Sequence, residues 1–214
     1  MTEAEWLACD DPETMLAVVR EPGRYRKLLL FAIACLDHMA EITGFSDAQR
    51  ARILNLAEAR AEGDFVDPEP HITLTVVASM RRSPGERIYL DLLVTPRQFN
   101  VVPIAQHAVE KITTCPFPRR RLTYTAERAT QAALLREIVG HPFRTAVCDS
   151  AWLTSDVLLL ANGIYEGKAF DRMPILADAL QDAGCENTDI LDHCRGPGPH
   201  VCGCWVVDLL LDKK

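Results

Sequence analysis

What the sequence lacks narrows its class before anything it contains. No apolar run approaches the roughly 18 to 20 residues of a membrane-spanning helix, so no membrane partner is expected. Basic residues are outnumbered: 23 Lys and Arg stand against 30 Asp and Glu, a formal charge of −7. A protein that holds nucleic acid by its phosphates needs a basic face, so nonspecific nucleic-acid binding is not expected either. The opening Met1-Thr-Glu-Ala-Glu5 has neither the basic start nor the apolar core of an export signal, which makes a cytoplasmic location the expectation. Signatures of known chemistry are missing as well. There is no His-Glu-x-x-His, no Gly-x-Ser-x-Gly, no Gly-x-Gly-x-x-Gly and no Cys-x-x-Cys. No internal repeat or low-complexity segment is present.

What is there is ordinary globular material. Hydrophobic residues make up 48% of the 214 and charged residues 25%, enough apolar surface to offset the entropy of ordering the chain. Three segments follow from the patterning: helices over 1–65, a strand-containing middle over 66–120 and a helical segment over 121–214, expected to form one compact domain.

In the first segment Asp11-Pro12-Glu13 supplies an N-cap, a proline suited to a first turn and an acid that favours the positive helix end. Leu28, Leu29, Phe31, Ile33 and Leu36 make the next helix, over about 24–42, apolar on more than a stripe, so it is expected at the centre. Ser46-Asp-Ala-Gln49 reads as a capping box and Gly63 as the stop of the helix it opens. In the middle, residues 71–77 and 87–94 alternate apolar and polar around the turn Ser83-Pro-Gly85, which predicts a β-hairpin. Residues 98–104 read as a third short strand, Pro103 opens a helix through Ile112, and residues 115–121 read as a connector.

Helical patterning then resumes. A helix is expected from Ala126 to Val139 with Gly140 as its end, then one capped by Thr154 or Ser155 with Gly167 after it. Asp171 and Asn187 are read as caps of two more, the first ending at Gly184, and residues from Trp205 as a closing helix. The fold class is therefore mainly α, or α+β with the hairpin: a multi-helix core carrying a small β-hairpin or three-stranded insertion.

Eight cysteines without an export signal are expected as free thiols rather than disulfides. Cys9, Cys35, Cys115 and Cys148 are isolated and read as packing residues. Cys185, Cys194, Cys202 and Cys204 fall within twenty residues of one another, together with His193 and His200.

Four stretches carry a resemblance: residues 1–9, Arg26-Lys-Leu-Leu-Leu-Phe-Ala-Ile-Ala-Cys35, Pro174-Ile-Leu-Ala-Asp-Ala-Leu-Gln-Asp-Ala-Gly-Cys185 and His193-Cys-Arg-Gly-Pro-Gly-Pro-His-Val-Cys-Gly-Cys-Trp205. Both ends of the chain thereby resemble a family of small uncharacterised bacterial proteins, abundant in planctomycetes, and the resemblance implies no known activity. The chain departs from that pattern in its strand-like middle, where the family has an Ala-rich helical stretch. It also has Cys202 where the family has a basic residue.

Thiolates and imidazoles at close spacing suit zinc, which takes three or four such ligands in a tetrahedron. The turn Gly196-Pro-Gly-Pro199 is placed to fold His193 or Cys194 back towards His200 and Cys204, so these four are the candidate metal ligands. Being adjacent, His193 and Cys194 face different sides of a helix and are not expected to ligate together. Against a metal stands the absence of any standard zinc spacing. A nucleophilic reading pairs Cys202 or Cys204 with His200 as base, but needs a lowered thiol pKa and an orienting third group. His200 is otherwise a loop histidine bonding to backbone.

With no catalytic motif in hand, the expected function is a non-catalytic cytosolic interaction or accessory module, its partner another protein and its cofactors none. The alternative is a zinc-binding protein built on His193, Cys194, His200 and Cys204.

Overall fold

The computed structural model describes residues 1–19, 24–38, 47–63, 124–144 and 146–213. Among them the regular structure is helical, with no strand, so the mainly-α class holds. The expected hairpin, third strand, following helix and connector all lie outside the described residues. The chain divides into two compact units, residues 1–7 with 133–214 and residues 8–132.

In the second of these, α2 (Pro12–Val18) starts as its sequence dictates. The Asp11 carboxylate accepts from the amides of Glu13 at 3.0 Å and Thr14 at 3.4 Å, and Pro12 occupies the first turn. Arg128 pairs with both Asp11 and Glu13. Helix α3 (Tyr25–His38) packs along α4 (Asp47–Glu62), and Arg26 of α3 meets Glu62 of α4 at 2.7 Å. Residues 28–35 of α3 are all buried, as its unstriped apolar sequence requires. Gly63 follows α4 at φ 91°, a left-handed stop that a residue with a Cβ resists. Ser46 of the expected capping box lies outside the described residues.

Helix α5 (Tyr124–Val139) runs through the boundary, its residues from Ala133 onwards belonging to the other unit. That unit also holds most of a helix the patterning does not anticipate, α1 (Glu3–Ala8). It is opened by a reciprocal capping box: Thr2 Oγ1 accepts from the Glu5 amide at 3.3 Å, and Glu5 Oε2 from the Thr2 amide at 2.7 Å. Trp6 is fully buried and donates its indole N–H to the Gly140 carbonyl at 3.1 Å.

Four more helices complete this unit: α6 (Ser155–Gly167), α7 (Met173–Asp182), α8 (Thr188–Arg195) and α9 (Trp205–Leu210). Thr154 caps α6 and Asn187 caps α8, its side chain accepting from the Ile190 amide at 3.2 Å. Two expectations are corrected. Gly167 is the last residue of α6, and the left-handed position falls on Lys168. Asp171 does not cap α7; it lies inside a 3-10 turn, Phe170–Arg172, and α7 begins where Pro174 can occupy the first turn. Val157, Ile164, Met173, Leu176, Leu180, Ile190, Val206 and Leu210 interlock as the core, with Cys185, Cys194 and Cys204 filling small spaces between them. No described helix is long and apolar enough to cross a membrane.

Candidate metal centre

Three segments of the same unit deliver side chains to one point. Helix α8 brings His193 in its last turn. The loop after it turns through Gly198, whose φ of 82° and lack of side chain let the backbone double back: a Cβ there would lie 2.6 Å from the His200 amide nitrogen. That turn delivers His200, and four residues later Cys204 points inward from the start of α9. From the third segment, α5, comes Glu137.

The ligand atoms of Glu137, His193, His200 and Cys204 all lie within 4.8 Å of one another. His193 Nε2 stands 3.2 Å from Glu137 Oε2 and 3.3 Å from Cys204 Sγ. His200 Nδ1 stands 3.2 Å from Glu137 Oε1. Such spacings match the edges of a tetrahedron with bonds of about 2.0 to 2.3 Å, the lengths zinc makes to these atoms. These residues could hold a metal ion.

Of the four candidates named from the sequence, His193, His200 and Cys204 come together. Cys194 does not: one residue further along α8 turns it by about 100°, and it is buried in the apolar core. Burial, with the Glu137 charge next, pushes its thiol up to about 12. Glu137 takes its place and was missed, being 56 positions before His193 in sequence. One signal was available. An acid in the last helical turn sits against the helix dipole, which favours cations there, and Leu135 and Ile138 flank it on the buried side.

Electrostatics explain how that acid is tolerated. Glu137 is 4% exposed. Burial alone would raise its pKa, but the hydrogen bonds it accepts from His193 and His200 outweigh it and hold the carboxyl at about 2. For His200, burial works to lower the pKa, while the Glu137 bond and charge and the Gly196 carbonyl raise it to a net upward shift. His200 Nε2 lies 3.2 Å from that carbonyl, so it does bond to backbone as its loop position suggests. Cys204 is fully buried, and burial together with the neighbouring carboxylate pushes its thiol well above the ordinary range. Without a metal it is a neutral thiol.

A hydrolytic triad is not assembled at Cys204. Both Cys204 and Glu137 face the same nitrogen of His193, whereas a nucleophile and an orienting carboxylate must occupy opposite nitrogens of the histidine base, and a thiol with a raised pKa is a poor nucleophile. The other nitrogen, Nδ1, accepts a hydrogen bond from the Trp205 indole N–H at 3.1 Å. Trp205 is itself seated against Gly140, where φ is 69° and a Cβ would come within 2.8 Å of the indole ring.

The cluster is not sealed. A cleft of about 280 Å³ is lined by Glu137, His193, His200 and Trp205 and flanked by Arg136, Asp189 and Asp192. Cys204 is not among its lining residues. Comparison of the chain with protein-family models, with curated proteins and with solved structures found no match.

Proposed function

We propose that this is a metal-binding protein that takes one divalent transition ion, zinc in the cell, at the cluster of Glu137, His193, His200 and Cys204. The observation that carries this reading is the convergence of four ligand atoms, one oxygen, two nitrogens and one sulfur, from three chain segments, within 4.8 Å. A buried carboxylate, two imidazoles and a buried thiol form a mixed N, O and S set that suits zinc better than magnesium or calcium, which prefer oxygen alone. His200 already has the outer support that ligating histidines use, its second ring nitrogen bonded to a backbone carbonyl. An accessory-module role is compatible with such an ion, which would stabilise a small helical unit.

The test is metal content and affinity of the full chain. Untagged protein is expected to carry about one zinc per chain, measured by elemental analysis. In competition with a chromophoric chelator, Cys204→Ser and His200→Ala should each lose about 100-fold or more in affinity, since each removes a ligand. Cys194→Ala should retain it. Substoichiometric zinc, or a Cys194→Ala loss equal to that of Cys204→Ser, would overturn the proposal.

A further inference from the structure

Resting on that metal-binding reading, we infer that the ion is held by Glu137, His200 and Cys204, with His193 beside it as a hydrogen-bond donor and the fourth position open to the cleft for water or a small anion. The argument turns on where the protons of His193 sit. An indole N–H can only donate. Trp205 donates to His193 Nδ1 at 3.1 Å, so Nδ1 carries a lone pair and, in the neutral ring, the proton is on Nε2. Nε2 is the atom that faces Glu137 and Cys204. It therefore presents an N–H to the cluster where a ligand must present a lone pair. Ligating through Nε2 would need the proton moved to Nδ1, which would set two N–H groups against each other at the Trp205 contact.

His200 is arranged the opposite way. Its Nε2 faces the Gly196 carbonyl, which only accepts, so its proton belongs there and Nδ1 is free to ligate. Two histidines of one cluster are thus fixed in different roles by their outer partners. Three protein ligands and one open position is the arrangement of zinc sites that bind an outside ligand, whereas structural sites close with four. The access route is present: Glu137, His193 and His200 line the cleft and Cys204 does not. Trp205 is the positioning residue, because its indole selects the tautomer, and the Gly140 seat keeps the ring in place.

Cobalt(II) and azide test this on the intact chain, through the cobalt ligand-field bands and the thiolate charge-transfer band. The wild type should bind cobalt with a thiolate band, and azide should shift the ligand-field bands. In His193→Gln, cobalt affinity should fall by no more than about tenfold, the scale of losing an outer partner, with the thiolate band kept. Trp205→Phe keeps a ring but removes the N–H, which frees His193 to ligate. Cobalt should then bind about tenfold or more tightly and the azide shift should vanish. Adding His193→Gln to Trp205→Phe should restore the azide shift. A wild type that binds cobalt without an azide response overturns the open position. A His193→Gln protein that loses cobalt as fully as Cys204→Ser makes His193 a ligand and overturns its donor role. No cobalt uptake by the wild type removes the metal centre itself, and this assignment with it.

Discussion

Glu137 holds a carboxylate in the last turn of α5, where the helix dipole disfavours it, and two histidines make that placement stable. The pair it forms with His200 has a pH signature in the metal-free protein. Glu137 is held at about 2 against an ordinary 4.5, so its contribution is present above 4.5 and is lost as pH falls through that interval. His200 is shifted upwards from 6.5, so its contribution is present below 6.5 and lost as pH rises past the shifted value. Urea unfolding of chelator-treated protein should therefore show this stabilisation fullest between 4.5 and 6.5 and fading on both sides. Glu137→Gln should flatten the profile; a variant profile with the wild-type shape contradicts the pairing. A second residue-scale prediction concerns Gly198. With φ at 82° and the His200 amide 2.6 Å from where a Cβ would lie, Gly198→Ala should destabilise the fold by about 1–3 kcal/mol and weaken metal binding. An unchanged unfolding midpoint would contradict that. At this scale the sequence was informative where chemistry is local. His193, His200 and Cys204 stood out by crowding within a dozen positions, and the Gly-Pro-Gly-Pro turn explained how they could meet. Glu137 and Trp205 stood out less, since a partner brought in by tertiary packing leaves only an acid at an unfavourable helix end and a half-buried aromatic as its trace.

Elements whose ends carry their own capping chemistry were legible, because a cap is satisfied by residues two or three positions away. Asp11, Thr154 and Asn187 all cap as their sequence context implies. Thr2 and Glu5 carry the same kind of signal for α1, a capping box of the ordinary spacing, beside the stronger Asp11-Pro12 start. Asp171 misled because an Asp before an apolar run resembles a cap, whereas the proline three positions on fixed the start of α7. The division into two units, with residues 1–7 beside 133–214, has no sequence signal, since it depends on contacts between distant segments. One element bears directly on the site. Helix α8 is short and delivers His193, and Asn187 caps its N-terminus. Asn187→Ala should cost about 1 kcal/mol, and Asn187→Asp should recover most of it, since both acceptors suit the position. Thermal melts of the two variants check this; equal losses would show that the cap bond is not the source.

For the whole molecule, an ion that binds only the folded chain adds its binding free energy to folding. At a free zinc concentration 100 times the dissociation constant that linkage is worth about 2.7 kcal/mol. In a chain of this size each kcal/mol moves the melting temperature by about 2–4 °C, so chelation should lower it by roughly 5–11 °C. The size of this shift should grow as pH rises from neutrality, because Cys204 and His200 must both give up protons to ligate. This trend runs opposite to the high-pH loss expected of the metal-free pair, so the two states separate in one titration. A melting temperature indifferent to chelation would contradict the linkage. The central question is which atoms surround the ion, and X-ray absorption at the zinc edge of the zinc-loaded protein reads that most directly. The predicted shell is one sulfur at about 2.3 Å with N or O atoms at about 2.0 to 2.2 Å completing four. A shell without sulfur, or with two or more, would contradict it.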